Sequence, residues 1–254
     1  MKIMRNSILL AFATLSLLPV ASRADVTDEC KSVLKQMSDT LTAAKSLKAT
    51  GTRSIDPKLI GEGAAKEQAQ IEIIVQRPAN ILATSRDKDS TRQLYYDGKR
   101  LTITDKTEVG LFHAGADFAA DSIDAFSAEL LKRHGYQPPM TEFFTADPYK
   151  LLLEDVESGN IAGEESIAGV DCQHLSFSQE GFTWDLWVAK SDHLPRKFVI
   201  KFLEIDGSPK IEANITAWDL KIDTSKTKFS WEAPKSAVEI GIIPAEPTEE
   251  ATEK

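Results

Sequence analysis

The chain has 254 residues, 30 of them basic and 39 acidic, for a formal net charge of −9. Lys2, Arg5 and Arg23 lie in the first 24 residues, which carry no acid, so removing that segment leaves 27 basic against 39 acidic residues and a charge of about −12. A surface of that sign repels polyanions, which argues against nucleic acid as a partner.

Residues 1–24 read as a signal peptide. Lys2 and Arg5 start it, Ile8 to Val20 is an apolar run of secretory length, and Ser22-Arg23-Ala24 puts small residues where a signal peptidase reads. The run is too short to anchor in a hydrocarbon core about 30 Å thick, and no second run follows, so an exported, soluble chain that does not span the membrane is expected. Thr27-Asp28-Glu29 before Cys30 is too polar for a lipoprotein box. No linker or repeat divides the remainder, which predicts one domain over residues 25–240. The tail, 241–254, is rich in glutamate and proline and is expected to be disordered.

In chain order, Val26, Val33, Leu34, Met37, Leu41, Ala44 and Leu47 fall at three-, four- and seven-residue steps behind a Thr27 or Asp28 cap. That spacing predicts an amphipathic helix of about five or six turns. A strand over Ala49–Ile55 and a loop over Asp56–Lys66 follow. Gln70 to Thr104 then reads as a meander of four short antiparallel strands, with Ile71, Ile73 and Val75 alternating in the first and Leu101 and Ile103 in the last. Pro78 ends the first strand because it cannot donate to a ladder, and Asp97-Gly98 suits a two-residue hairpin turn. After a strand at Val109–His113, Ile123, Phe126, Leu130 and Leu131 mark one face of a helix over Asp121–His134, closed by Gly135. Pro138-Pro139 forbids helix, and Asp147-Pro148 starts a second, short and apolar one. The sheet resumes with strands over Asn160–Ile167, Val170–Ser178, Phe182–Ala189, Arg196–Ile205 and Lys210–Leu220.

The class predicted is mainly β with α, an α+β fold whose long antiparallel strands curl as their twist accumulates. Several strands are apolar on both faces: Phe182, Trp184, Leu186 and Val188 oppose Trp187, and Phe198, Ile200 and Phe202 oppose Val199 and Leu203. One face is therefore covered, by helices or by ligand. Ile73, Val75, Trp184, Leu186, Phe198 and Ile200 are the candidates for lining a ligand cavity, and core packing would explain them equally well.

No catalytic or metal site is expected, and no cofactor. His113, His134, His174 and His193 fall in four different elements without ligand spacing. Cys172 and His174 share a strand face but sit too far apart for one to activate the other directly. Cys30 and Cys172 could pair in an oxidising compartment or remain two separate buried thiols; the sequence leaves both open.

Three stretches carry a family resemblance: Val75-Gln76-Arg77-Pro78-Ala79-Asn80, the hairpin Tyr96-Asp97-Gly98-Lys99 with Leu101, and Lys228-Phe229-Ser230-Trp231-Glu232-Ala233-Pro234 followed by Val238. In that order the chain resembles the LolA/LolB-like lipoprotein-carrier superfamily, and more closely an uncharacterised family of predicted periplasmic proteins placed beside it. The resemblance implies a periplasmic protein with an unclosed barrel of about eleven strands whose helices lie over the concave face. It implies a lipid or lipoprotein acyl chain as ligand, and a role for Arg77 in holding a helical lid closed over an empty cavity. The alternative for Arg77 is a solvated strand-end charge. The alternative for the whole is an interaction module with a packed interior that binds an envelope protein.

Overall fold

The computed structural model describes residues 25–61, 65–135, 138 and 140–242. The signal-peptide reading, and the tail from residue 243 onward, lie outside them.

Thr27 opens helix α1 (Asp28–Thr42) by accepting from the Cys30 N–H, and Asp28 and Glu29 complement the positive end of the helix dipole. The helix buries Cys30, Val33, Leu34, Met37, Ser38 and Leu41. Its 15 residues make about four turns, fewer than the spacing predicts. Ala44 and Leu47 continue the helical spacing, but Leu47 belongs to strand β1 (Ser46–Ile55), where it and Ala49 point inward at strand period. Apolar residues near an element boundary satisfied both periods.

The meander forms as β2 (Glu67–Gln76), β3 (Asn80–Arg86), β4 (Ser90–Asp97) and β5 (Arg100–Thr107), continued by β6 (Gly110–Asp117). The Asp97 carboxylate accepts from the Lys99 and Arg100 N–H groups to close the predicted hairpin turn. Helix α2 (Ile123–His134) starts on a Ser122 cap and stops at Gly135, whose φ of 60° is the left-handed conformation a glycine adopts without steric cost. It buries Ile123, Phe126 and Leu130, each contributing about 1.5–3 kcal/mol. Leu131, placed on the same face by spacing, is instead 49% exposed.

A 3₁₀ turn (Thr141–Phe144) and helix α3 (Pro148–Leu152) precede β7 (Ser158–Ile167), β8 (Val170–Gln179), β9 (Phe182–Ala189), β10 (Pro195–Phe202) and β11 (Lys210–Asp219). A short β12 (Ala237–Glu239) adds one strand to the expected eleven. Only these three residues of the closing stretch pair, parallel to β6, since Pro234 has no N–H to donate.

All twelve strands form one sheet in the order β12-β6-β5-β4-β3-β2-β1-β11-β10-β9-β8-β7. β12 and β7 are its two edges, so the barrel is unclosed. The seam between its halves is the β1–β11 pair, where the register shifts between Thr50 and Gly51. A Cβ at Gly51 would stand 2.0 Å from the Asn214 carbonyl oxygen, so only glycine lets the strands approach there. The concave face of the sheet packs against α1, α2, the 3₁₀ turn and α3 in one continuous core. The opposite face carries a small second cluster of Cys172, Trp187, Ala189 and Val199, which accounts for the strands that are apolar on both sides.

Candidate functional site

The register defines two rims. β1 ends at Ile55 beside the start of β2 at Glu67, while β10 ends at Phe202 beside the start of β9 at Phe182. β11 joins the pairs through Ile211, which faces both Ile55 and Ile200. These ends share one rim of the half-barrel, the mouth. Leu47, Val75 and Val188 lie toward the opposite rim, where β2 runs out into Arg77.

Arg77 reaches across that far rim. Its Nε donates to the Ala44 carbonyl at 3.2 Å, and its Nη1 donates to the carbonyls of Phe144 at 2.6 Å and Thr145 at 3.1 Å. Its own N–H donates to the Lys45 carbonyl at 2.9 Å. The side chain thus ties the end of β2 both to the chain leaving α1 and to the end of the 3₁₀ turn. Burial pulls the Arg77 pKa below its ordinary value, and the Asp124 carboxylate partly opposes that shift. Asp124 also accepts from the Ala146 N–H at 2.9 Å. The Ser38 hydroxyl on α1 accepts from the Tyr149 N–H at 3.2 Å. Residues 140–149, which we call the strap, are therefore stitched to β2, α2 and α1.

The strap wedges into the concave hollow and divides it. Toward β2–β4 lie two small adjoining chambers of about 120 and 50 Å³, both lined by Ile73, Ala83 and Leu94; Met140 closes the larger and Phe144 the smaller. Toward β9 and β10 lies a groove of about 310 Å³ lined by Trp184, Phe198, Ile200 and Leu152, with Glu142 of the strap on its wall. Met140 holds a φ of 72°, a left-handed conformation that costs a non-glycine residue about 1–2 kcal/mol.

Of the residues the sequence proposed for a cavity, Trp184, Phe198 and Ile200 come together in the groove, and Ile73 lines the two chambers. Val75 and Leu186 have no exposed surface and sit in the packed core. Of the two alternatives left open for Cys30 and Cys172, the structure has the two separate buried thiols. Both thiols are free, Cys30 in the main core and Cys172 in the cluster on the other face of the sheet. Burial pushes the Cys30 thiol up to about 12 and raises that of Cys172 as well. Cys172 donates to the Val170 carbonyl, while His174 Nε2 donates to Asp185 at 2.9 Å, so neither engages the other. Among the described residues, no group of three or more His, Cys, Asp and Glu side chains could hold a metal ion, and no helix is long and apolar enough to cross a membrane.

Asp124 and Ser38 escaped the sequence reading. An acid in a first helical turn reads as a dipole complement, and a buried serine on an amphipathic helix reads as a tolerated small residue. Neither position shows that its acceptor serves a distant backbone N–H.

An open half-barrel with a helical plug strapped into its concave face is the α+β architecture that the LolA/LolB-like resemblance implies. The sequence matches, over residues 30–243, the family described as "Predicted periplasmic protein (DUF2092)", and the chain belongs to that family. The protein is periplasmic. A comparison with curated proteins finds no match. Among solved structures the chain is similar to the Mycobacterium tuberculosis lipoprotein LppX (15% identity, TM-score 0.47, covering 78% of this chain and 99% of that one). It is also similar to a LolA superfamily protein from Nitrosomonas europaea (10% identity, TM-score 0.35, covering 80% and 97%). A further similarity is to the Pseudomonas aeruginosa MucA/MucB complex (14% identity, TM-score 0.43, covering 75% and 56%).

Proposed function

We propose that the protein is a periplasmic carrier or sensor that takes a hydrophobic ligand, a lipid or the acyl chain of a lipoprotein, into the concave hollow of its half-barrel. The observation that carries this reading is the strap: a short, locally strained segment that splits an apolar hollow into three spaces and is fastened at its far end by a half-buried arginine. Lifting residues 140–144 would join the 310 Å³ groove to the chambers behind it, giving a space within the ~300–1,000 Å³ range of small-molecule sites. In this reading Arg77 is the gate, and Ile73, Trp184, Phe198 and Ile200 line the ligand's path. The chemistry is binding rather than catalysis.

The test is native mass spectrometry of protein isolated gently from periplasm, paired with titration of a fluorescent acyl probe. A co-purifying hydrophobic mass, or saturable binding of the probe, is expected. Ligand-free protein that leaves the probe unshifted would overturn the reading. The small chambers of about 120 and 50 Å³ favour a second reading, an envelope-protein interaction module whose interior stays filled. That reading expects no hydrophobic ligand and unchanged exchange of the strap when a probe is added.

A further inference from the structure

We propose that the groove between α3 and the mouth ends of β9 and β10 selects a single-chain amphiphile with a cationic head group. This rests on the carrier reading and adds the head-group chemistry. The floor is apolar: Leu152, Trp184, Phe198, Ile200 and Phe202 surround a space of about 310 Å³, at the lower end of the range for small-molecule sites, which suits one alkyl chain better than a lipid with several.

The rim is anionic. Glu142, Glu154 and Asp155 stand around the opening, and no lysine, arginine or histidine is among the described residues lining it. A second hollow adjoins it through Asp155, Gln179 and Phe182 and adds Glu157 and Glu180. Among the described residues, Glu154, Asp155, Glu157 and Glu180 make no ion pair, although fourteen such pairs are formed elsewhere. Like charges gathered at one opening repel one another, and a cation bound among them relieves that repulsion.

The other side of the same mouth differs. Arg53 pairs with Glu67 there and Arg92 with Asp105, and Lys66, Arg86 and Lys88 line the adjoining hollow beside Asp87 and Glu212, so that side carries cations as well as carboxylates. The electrostatic preference therefore belongs to the groove and not to the mouth as a whole. An anionic head would meet the collar of carboxylates as its chain entered, whereas a quaternary ammonium or amine would be drawn to it. Because Glu154 and Asp155 are exposed, the preference should be modest, on the order of tenfold, and screened by salt.

The experiment titrates the full chain with dodecyltrimethylammonium, dodecyl maltoside and dodecyl sulfate, each below its micelle concentration. Calorimetry and tryptophan fluorescence give the readouts, since Trp184 lies in the groove. Expected is binding of the cation about tenfold tighter than of the neutral maltoside, with the difference shrinking at high salt. The double variant Glu154→Gln/Asp155→Asn should lose the preference and keep maltoside binding; Asn at 155 tolerates that residue's φ of 58°. Ile200→Trp, which fills the groove, should weaken all three. Equal affinities, or a preference for the sulfate, would overturn the head-group inference while leaving the carrier reading standing. Cation binding that persists undiminished in Ile200→Trp would mark adsorption to an acidic surface and overturn it too. Failure of all three amphiphiles to bind would overturn both.

Discussion

Arg77→Leu is the sharpest perturbation of the strap, because it keeps an apolar stem and removes every side-chain donor. In the closed state Nη1 serves two strap carbonyls, Phe144 and Thr145, whose residues are 3% and 1% exposed and therefore have little access to replacement water. Hydrogen bonds from a charged donor contribute about 1.5–3 kcal/mol each. Against them stands the cost of holding a guanidinium out of water, visible in the downward shift of the Arg77 pKa and in its Nη2, which is buried without a hydrogen-bond partner. A net loss of about 2 kcal/mol for the closed strap is a reasonable balance, equivalent to a shift of about thirtyfold toward open. Hydrogen exchange read by mass spectrometry should then speed up across residues 140–153 by about that factor, while the β2–β5 meander keeps its protection. Retention of an acyl probe should lengthen, since nothing drives the strap back into the hollow. Arg77→Lys, with a single compact donor group, should fall between the two. Unchanged exchange over 140–153, or acceleration spread evenly over the whole domain, would refute the clamp and leave Arg77 as a packing residue.

Two separate buried thiols predict that native protein shows no titratable thiol to Ellman's reagent at pH 8 and that non-reducing denaturation exposes both; a single population without free thiol would establish the disulfide instead. For Cys30 the folded pKa of about 12 lies above its ordinary value of 9.0, so its contribution to stability is fully present below pH 9 and is lost as pH rises from 9 toward 12. Cys30→Ala should flatten the fall of the denaturation midpoint across that window, and an unchanged slope would count against the buried thiol as its cause. Gly51→Ala should destabilise by about 1–3 kcal/mol in urea titration, because the new methyl meets backbone at the β1–β11 seam; a neutral result would mean that the strands can part there without cost.

Most of the fold was legible because strand period and turn chemistry agreed. Asp97-Gly98 turns the chain where the sequence places it, Ala168-Gly169 and Glu180-Gly181 turn it in the gaps between predicted strands, and each of the three glycines has a positive φ. What failed had a physical reason in each case. Leu47 satisfied two periods at once, and Leu131 lies at the margin of its helix face. Whether Cys30 and Cys172 pair, which the sequence leaves open, depends on which side of a curled sheet each thiol occupies, and no spacing along the chain encodes that. Arg77 could be singled out from its flanks, but its partners could not. They are carbonyls of Ala44, Phe144 and Thr145, and a backbone acceptor leaves no signature in the identity of its residue.

In the carrier reading the strap, and not α1, is the element that would move, although residues 140–149 bury six side chains, as many as α1 does. α1 inserts six buried residues over four turns and closes its own backbone hydrogen bonds. The strap has a one-turn 3₁₀ segment and a five-residue α3, lengths at which helix formation is marginal without tertiary support. Its hold on the body comes from Phe143 against Phe198 and from the stitches to Arg77, Asp124 and Ser38, and it is opposed by the left-handed Met140 backbone. Those stitches lie from Phe144 onward, while Met140 and Glu142 face the spaces that open at the mouth. In the proposed carrier reading, a chain entering there would meet the end of the wedge with the fewest stitches, and the free energy needed to lift it would be set mainly at the other end, by Arg77. On that proposal, one residue would tune the gate without touching the ligand.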